Sequence, residues 1–94
     1  MIKTLTIQIG NSDDKLKQAQ WCGYVRETKL CIERWATSIY FFGGSSTWEM
    51  WQNVCWVISC REDKIEVLQD EIADIRTKYH QESVALTIGD TVMI

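Results

Sequence analysis

The stretch from Ser38 to Cys60, SIYFFGGSSTWEMWQNVCWVISC, narrows most what this chain can fold into. Its β-branched and aromatic runs suit a pleated, half-buried surface, and the Gly43-Gly44-Ser45-Ser46 segment between them supplies turn geometry. The stretch therefore reads as a β-hairpin in the middle of the chain.

The flanks carry simpler patterns. Leu5, Ile7 and Ile9 alternate with Thr4, Thr6 and Gln8, the period-two signature of a strand with one buried face. Gly10 and Asn11 break it. Ser12 followed by Asp13 and Asp14 then predicts a helix start, because a serine side chain caps orphan amides and acids favour the positive end of the dipole. The helix is expected from about Asp13 to Arg34. Its apolar residues (Leu16, Ala19, Trp21, Cys22, Tyr24, Val25, Leu30, Cys31, Ile32 and Trp35) cover more of the circumference than one core-facing stripe needs. After the hairpin, Asp63 with Glu66 resembles a capping box, and Ile65, Leu68, Ile72, Ile75 and Tyr79 step by three and four through a second helix over 63–79. From Ser83, the residues Val84, Leu86 and Ile88 alternate with Ala85 and Thr87 as a last strand, and Gly89-Asp90 turns the chain into a short end.

Strand, helix, strand, strand, helix, strand is the order of the split β-α-β, or ferredoxin-like, α+β fold (βαββαβ). That topology implies one domain over 1–94, a four-stranded antiparallel sheet in the order four, one, three, two, and both helices on one face. The other face would carry Thr4, Thr6, Gln8, Cys55, Val57, Ala85 and Thr87. These are too small and apolar for a plainly solvated face, and with the broad first helix they point to a homo-oligomer.

Composition removes several function classes. With 46% hydrophobic residues the chain is too apolar for disorder, yet no apolar run approaches the ~20 residues that span a bilayer. The first residues run straight into a strand pattern without a signal-like apolar region, so the expectation is a cytoplasmic protein with no membrane partner. Cys22, Cys31, Cys55 and Cys60 form no C-x-x-C pair and His80 is the single histidine, which argues against a structural zinc site and for cysteines acting as small hydrophobes. A formal charge of −3 gives no general attraction for nucleic acid.

The topology gathers polar residues at one end of the sheet, where strand one ends, the hairpin turns and the last strand begins. Candidate ligand-binding residues there are Asn11, Ser12 and Asp13 from the first junction, Ser45, Ser46, Trp48, Trp51, Gln52 and Asn53 from the hairpin, and Tyr79, Gln81 and Ser83 from the last. The competing reading makes them caps and turns, Ser12 and Asp13 starting the helix and Gly43-Gly44 the turn. Gln52 and Asn53 are harder to explain that way, since two adjacent amides sit poorly in a strand unless their donors and acceptors are used. If the end is a site, the helix N-terminus and the hairpin amides suit a phosphate while a tryptophan stacks a base, so the ligand would be nucleotide-like, with no cofactor and no catalytic residues. A second reading gives Asp13 and Asp14 a divalent metal for phosphodiester cleavage. This arrangement resembles the CRISPR-associated ferredoxin-like nucleases with an aspartate at the end of strand one. The acidic charge opposes a nucleic-acid substrate.

The segment Ile9-Gly10-Asn11-Ser12-Asp13-Asp14-Lys15-Leu16, with Trp51-Gln52-Asn53 and Tyr79-His80-Gln81-Glu82-Ser83, resembles a pattern in uncharacterised small proteins of phages and bacteria. The resemblance implies a phage or prophage accessory protein of the host cytoplasm, acting by binding: a trap for a host nucleotide signal or an inhibitor of host defence. Ligand binding or sequestration ranks first, inhibition of a host protein complex second, and a metal-dependent nuclease third.

Overall fold

The computed structural model describes residues 1–11, 15–45 and 52–94; residues 12–14 and 46–51 lie outside the described residues. The elements are β1 (Ile2–Gly10), α1 (Gln18–Trp35), β2 (Ala36–Gly44), β3 (Asn53–Arg61), α2 (Ile65–Lys78) and β4 (Ala85–Gly89), with one 3-10 turn (Glu62–Lys64) leading into α2. Alternation in β1 has the predicted result. Leu5, Ile7 and Ile9 are fully buried, whereas Gln8 is exposed and Thr4 and Thr6 are half-buried. The sheet order is β2-β3-β1-β4 with each neighbouring pair antiparallel, and both helices pack on one side. Trp56, Ile58 and Cys60 of β3 join the β1 residues beneath Tyr24 and Ile32 of α1 and Leu68 of α2. Burying side chains of this size contributes roughly 1.5–3 kcal/mol each.

Several boundaries differ from the sequence reading, each for a local reason. Helix α1 begins at Gln18 rather than near Asp13, because the Asn11 side chain holds the chain at Leu16 in a non-helical course. The N–H of Lys17, the N-cap residue, is satisfied by Gln20 Oε1 at 2.9 Å, the reach-back half of a capping box; Ser12 lies outside the described residues. No capping box forms at α2. Asp63 instead accepts from Arg61 Nη2 at 2.9 Å, and the 3-10 turn supplies the entry. Gly43 and Gly44 belong to β2 and not to a turn, and neither has a positive φ. Gly44 is needed for close approach: a Cβ there would lie 2.1 Å from the Asn53 carbonyl oxygen.

Two carboxylates fasten α1 to α2. Glu71 Oε2 accepts from Arg34 Nη1 and Trp35 Nε1, both at 2.8 Å, and from the Cys31 thiol at 3.2 Å. The Trp35 bond, then those of Cys31 and Arg34, hold the Glu71 carboxyl below its usual pKa. Burial, reinforced by Glu71, pushes the Cys31 thiol up to about 12, leaving it an inert hydrophobe. At the other end Glu27 accepts from Lys78 Nζ at 2.8 Å and from the Tyr79 hydroxyl, and these two bonds lower its pKa. Within the core the Tyr24 hydroxyl and Trp56 Nε1 have no hydrogen-bond partner among the described residues, and desolvation pushes Tyr24 up to about 12. Among the described residues no helix is long and apolar enough to cross a membrane.

Candidate functional site

Of the polar residues that the sequence gathers at one end of the sheet, Asn11, Ser45, Gln52 and Asn53 meet there and bond to one another and to the backbone. Asn11 is buried. Its Nδ2 donates to the Leu16 carbonyl at 3.0 Å while its Oδ1 accepts the Leu16 N–H at 2.9 Å, closing a loop around the β1–α1 junction. Its own N–H donates to the Gln52 carbonyl at 2.9 Å, and Nδ2 reaches Gln52 Oε1 at 3.4 Å. Gln52, also buried, donates from Nε2 to Gln18 Oε1 at 3.0 Å. Three amide side chains thus tie β1, the entry to β3 and the start of α1 together. Ser45 and Asn53 close the neck of the hairpin, the Asn53 N–H donating to Ser45 Oγ and the Ser45 N–H to the Asn53 carbonyl, both at 2.9 Å.

Tyr79 and Gln81 belong to the end of α2. The His80 N–H donates to Thr77 and the Gln81 N–H to Arg76, with His80 in the left-handed region at φ 55°, which is a Schellman closure. The Gln81 side chain donates to the Tyr79 carbonyl at 3.2 Å, and Arg76 Nη1 donates to the carbonyls of Gln81 and Glu82, also at 3.2 Å. The Tyr79 ring stacks on Tyr24 with centroids 5.1 Å apart, and Gly23 leaves room for its hydroxyl, since a Cβ at 23 would lie 2.8 Å from that oxygen. Burial and the Glu27 bond push Tyr79 up to about 12. Ser83 and Asn53 border a shallow hollow of ≈ 340 Å³ beside Gln8 and Ala85. Ser12, Asp13, Ser46, Trp48 and Trp51 lie outside the described residues, as does Asp14.

The largest cavity described is elsewhere, with only Ser45 from the predicted set. It is a cleft of ≈ 460 Å³ between α1 and the end of β2, lined by Trp21, Cys22, Val25, Arg26, Lys29, Phe42, Gly43, Gly44, Ser45 and Val54. Cys22, Val25, Arg26 and Lys29 fall at i, i+3, i+4 and i+7, one stripe of α1 beside the core stripe of Trp21, Tyr24 and Thr28. Phe42 forms the opposite wall. Its ring meets Trp56 at 5.3 Å between centroids, and Lys29 Nζ stands 5.4 Å from its centre. Lys29 also lies 3.9 Å from Glu33, while Arg26 has no ion-pair partner among the described residues. The described lining holds two cations and no carboxylate, in a chain whose formal charge is −3.

Comparison with solved structures fits this architecture. An uncharacterized protein from Thermotoga maritima is 15% identical over 93% of this chain and 91% of its own, with a TM-score of 0.50. A dimeric ferredoxin-like protein from an uncultured marine organism is 8% identical over 99% of this chain and 90% of its own, with a TM-score of 0.51. The fold is ferredoxin-like. At such identities the likeness concerns the fold alone. No protein-family model and no curated protein matches the chain.

Loop polarity in the sequence does not point to this cleft, which is lined by a helix flank and a strand end. The signal was present in the over-wide apolar arc of α1: Cys22 lies outside the core stripe and Val25 at its margin, and Arg26 and Lys29 continue along that flank.

Proposed function

We propose that the protein binds a small anionic ligand with an aromatic ring, of the nucleotide class, in the cleft between α1 and β2. One observation carries this reading: a cavity of ≈ 460 Å³, within the ~300–1,000 Å³ usual for small-molecule sites, joins an aromatic wall at Phe42 to Arg26 and Lys29, with no carboxylate among the described lining residues. The guanidinium of Arg26 offers a fork of donors to a phosphate, Lys29 adds a point charge, and the Phe42 face takes a base. In the phage or prophage setting implied by the sequence resemblance, such a ligand would be a host signal held away from its receptor. Self-association belongs to the same reading, as a protein of this fold is described as dimeric.

Inhibition of a partner protein is the alternative. It is favoured by edge strand β2, where Tyr40 and Phe41 are 58% and 53% exposed on a strand without a charged residue. The two readings separate in a thermal-shift screen of mono-, cyclic and dinucleotides and ADP-ribose derivatives. A ligand at ~100 times its dissociation constant stabilises by roughly 2.7 kcal/mol, and each kcal/mol moves the melting point of so small a domain by about 4–8 °C. A shift above about 10 °C, abolished in Arg26→Ala/Lys29→Ala, is the expected result. A flat screen, or a shift that persists in the double variant, would remove the cleft reading.

A further inference from the structure

We propose that the sheet face turned away from the helices is the docking surface for a second copy of this chain, the two sheets packing face to face. The register fixes which residues share that face: Thr6 of β1 lies opposite Val57 of β3 and Thr87 of β4, Gln8 lies opposite Cys55, and Phe41 of β2 continues the row past Val57. From Thr4 to Gln8 on β1, and across the register onto the other three strands, no position on this side is charged. Yet 24% of the chain is charged. A sheet face left to water is normally lined by the outward polar residues of each strand, charged ones among them.

A separate feature points to the same face. Beyond β4, Asp90 pairs with Lys3 Nζ at 2.9 Å and the Thr91 hydroxyl meets that of Thr4, a residue of the open face. The second contact sets Thr91 beside Thr4 on that face, and Val92, Met93 and Ile94, which follow it, are each at least 80% exposed. Four strands ~4.8 Å apart and some 25 Å long give a footprint of about 500 Å², and with the tail this approaches the ~800 Å² per partner of a stable interface.

The missing charge also favours a second copy over a different protein. A two-fold axis sets a patch against itself, so a charged patch would meet like charge, whereas a partner chosen by electrostatic complementarity needs charges to complement.

Sedimentation velocity tests the assignment. The wild type is expected near twice its 11.0 kDa protomer mass at tens of micromolar, dissociating on dilution. Thr6→Glu, in the middle of the face, should sediment as a monomer with an unchanged circular dichroism spectrum. Thr87 is exposed in the single chain, so Thr87→Glu should fold regardless and weaken dimerisation at least tenfold; if Thr6→Glu does not fold, Thr87→Glu decides. A wild type that stays monomeric at 100 µM overturns the proposal. So does a folded Thr87→Glu protein that dimerises as tightly as wild type, or a dimer dissociated by Tyr40→Pro and untouched by both glutamates, which would be edge pairing through β2.

Discussion

The amide clamp around Asn11 and Gln52 and the cleft between α1 and β2 are both places where polar side chains converge, and they use that polarity in opposite ways. In the clamp, Asn11 bonds both backbone groups of Leu16 and Gln52 bonds Gln18, so the groups are occupied by the protein itself. In the cleft, Arg26 has no ion pair among the described residues and faces an aromatic wall across open volume. Buried amides must be bonded, since an unsatisfied one costs about 1–3 kcal/mol, whereas an exposed guanidinium loses little without a protein partner. Convergence alone does not mark a site; convergence with unused bonding capacity does.

The sharpest way to break this comparison is to remove the clamp. Asn11→Ala deletes two bonds to Leu16 and leaves its part-buried backbone groups without those partners, which should cost about 2–3 kcal/mol. Urea unfolding would read the loss directly, and the melting point should fall by at least about 8 °C. A loss below about 0.5 kcal/mol would mean that the Asn11 amide is free for a ligand after all.

A smaller effect is expected at Glu71, where the polarity is charged but still occupied. Glu71→Gln keeps the shape and replaces charge-assisted bonds to Trp35 and Arg34 with weaker ones, for a loss of about 1 kcal/mol at neutral pH. Glu71 and Glu27 are both lowered in the folded state, so their stabilisation is complete above the unfolded carboxyl value of 4.5 and is lost as pH falls through the folded values below it. The gap between wild type and Glu71→Gln should therefore close in acid. A gap that stays constant from pH 7 to pH 3 would assign the effect to packing.

Elements with a strong period were legible in the sequence, and places decided by tertiary bonding were not. The alternation of Leu5, Ile7 and Ile9 and the three-four steps of Ile65, Leu68 and Ile72 follow from burial of one face, and their order led to the topology. The start of α1 was misjudged because Ser12-Asp13-Asp14 is a good local cap, while the competing bonds of Asn11 to Leu16 depend on where Gln52 arrives from another strand. Gly43 and Gly44 looked like a turn for the same reason: glycine permits positive φ, but here it permits the approach of the Asn53 carbonyl. The Gln52 amide needs partners in either reading, and Asn11 and Gln18 are among them.

The third polar gathering, from Tyr79 to Ser83, tests the comparison from the side of the helix end. His80 occupies the left-handed position of the Schellman closure, which costs an L-residue about 1–2 kcal/mol relative to glycine. Glycine returns part of that through a freer unfolded chain, so His80→Gly should gain about 0.5–1 kcal/mol and raise the melting point by a few degrees. A loss of stability would show that the imidazole makes a contact of its own.

The smallest expected change in stability is the most discriminating. Arg26 is exposed on α1 and without an ion pair among the described residues, so Arg26→Ala places a strong helix former at a solvated position and should move stability by less than about 0.5 kcal/mol. Its charge does reach Glu27 and Tyr79, lowering both, but behind the bonds of Lys78 and Tyr79 for the first and behind burial for the second. The Glu27 network should therefore survive. A variant that melts with wild type and binds no nucleotide would place the recognition charge in the cleft, independent of the clamp. A variant destabilised by 2 kcal/mol or more, well beyond the ~0.5 kcal/mol usual at such surface positions, would instead make Arg26 one more internally occupied group and leave no contrast between the two regions.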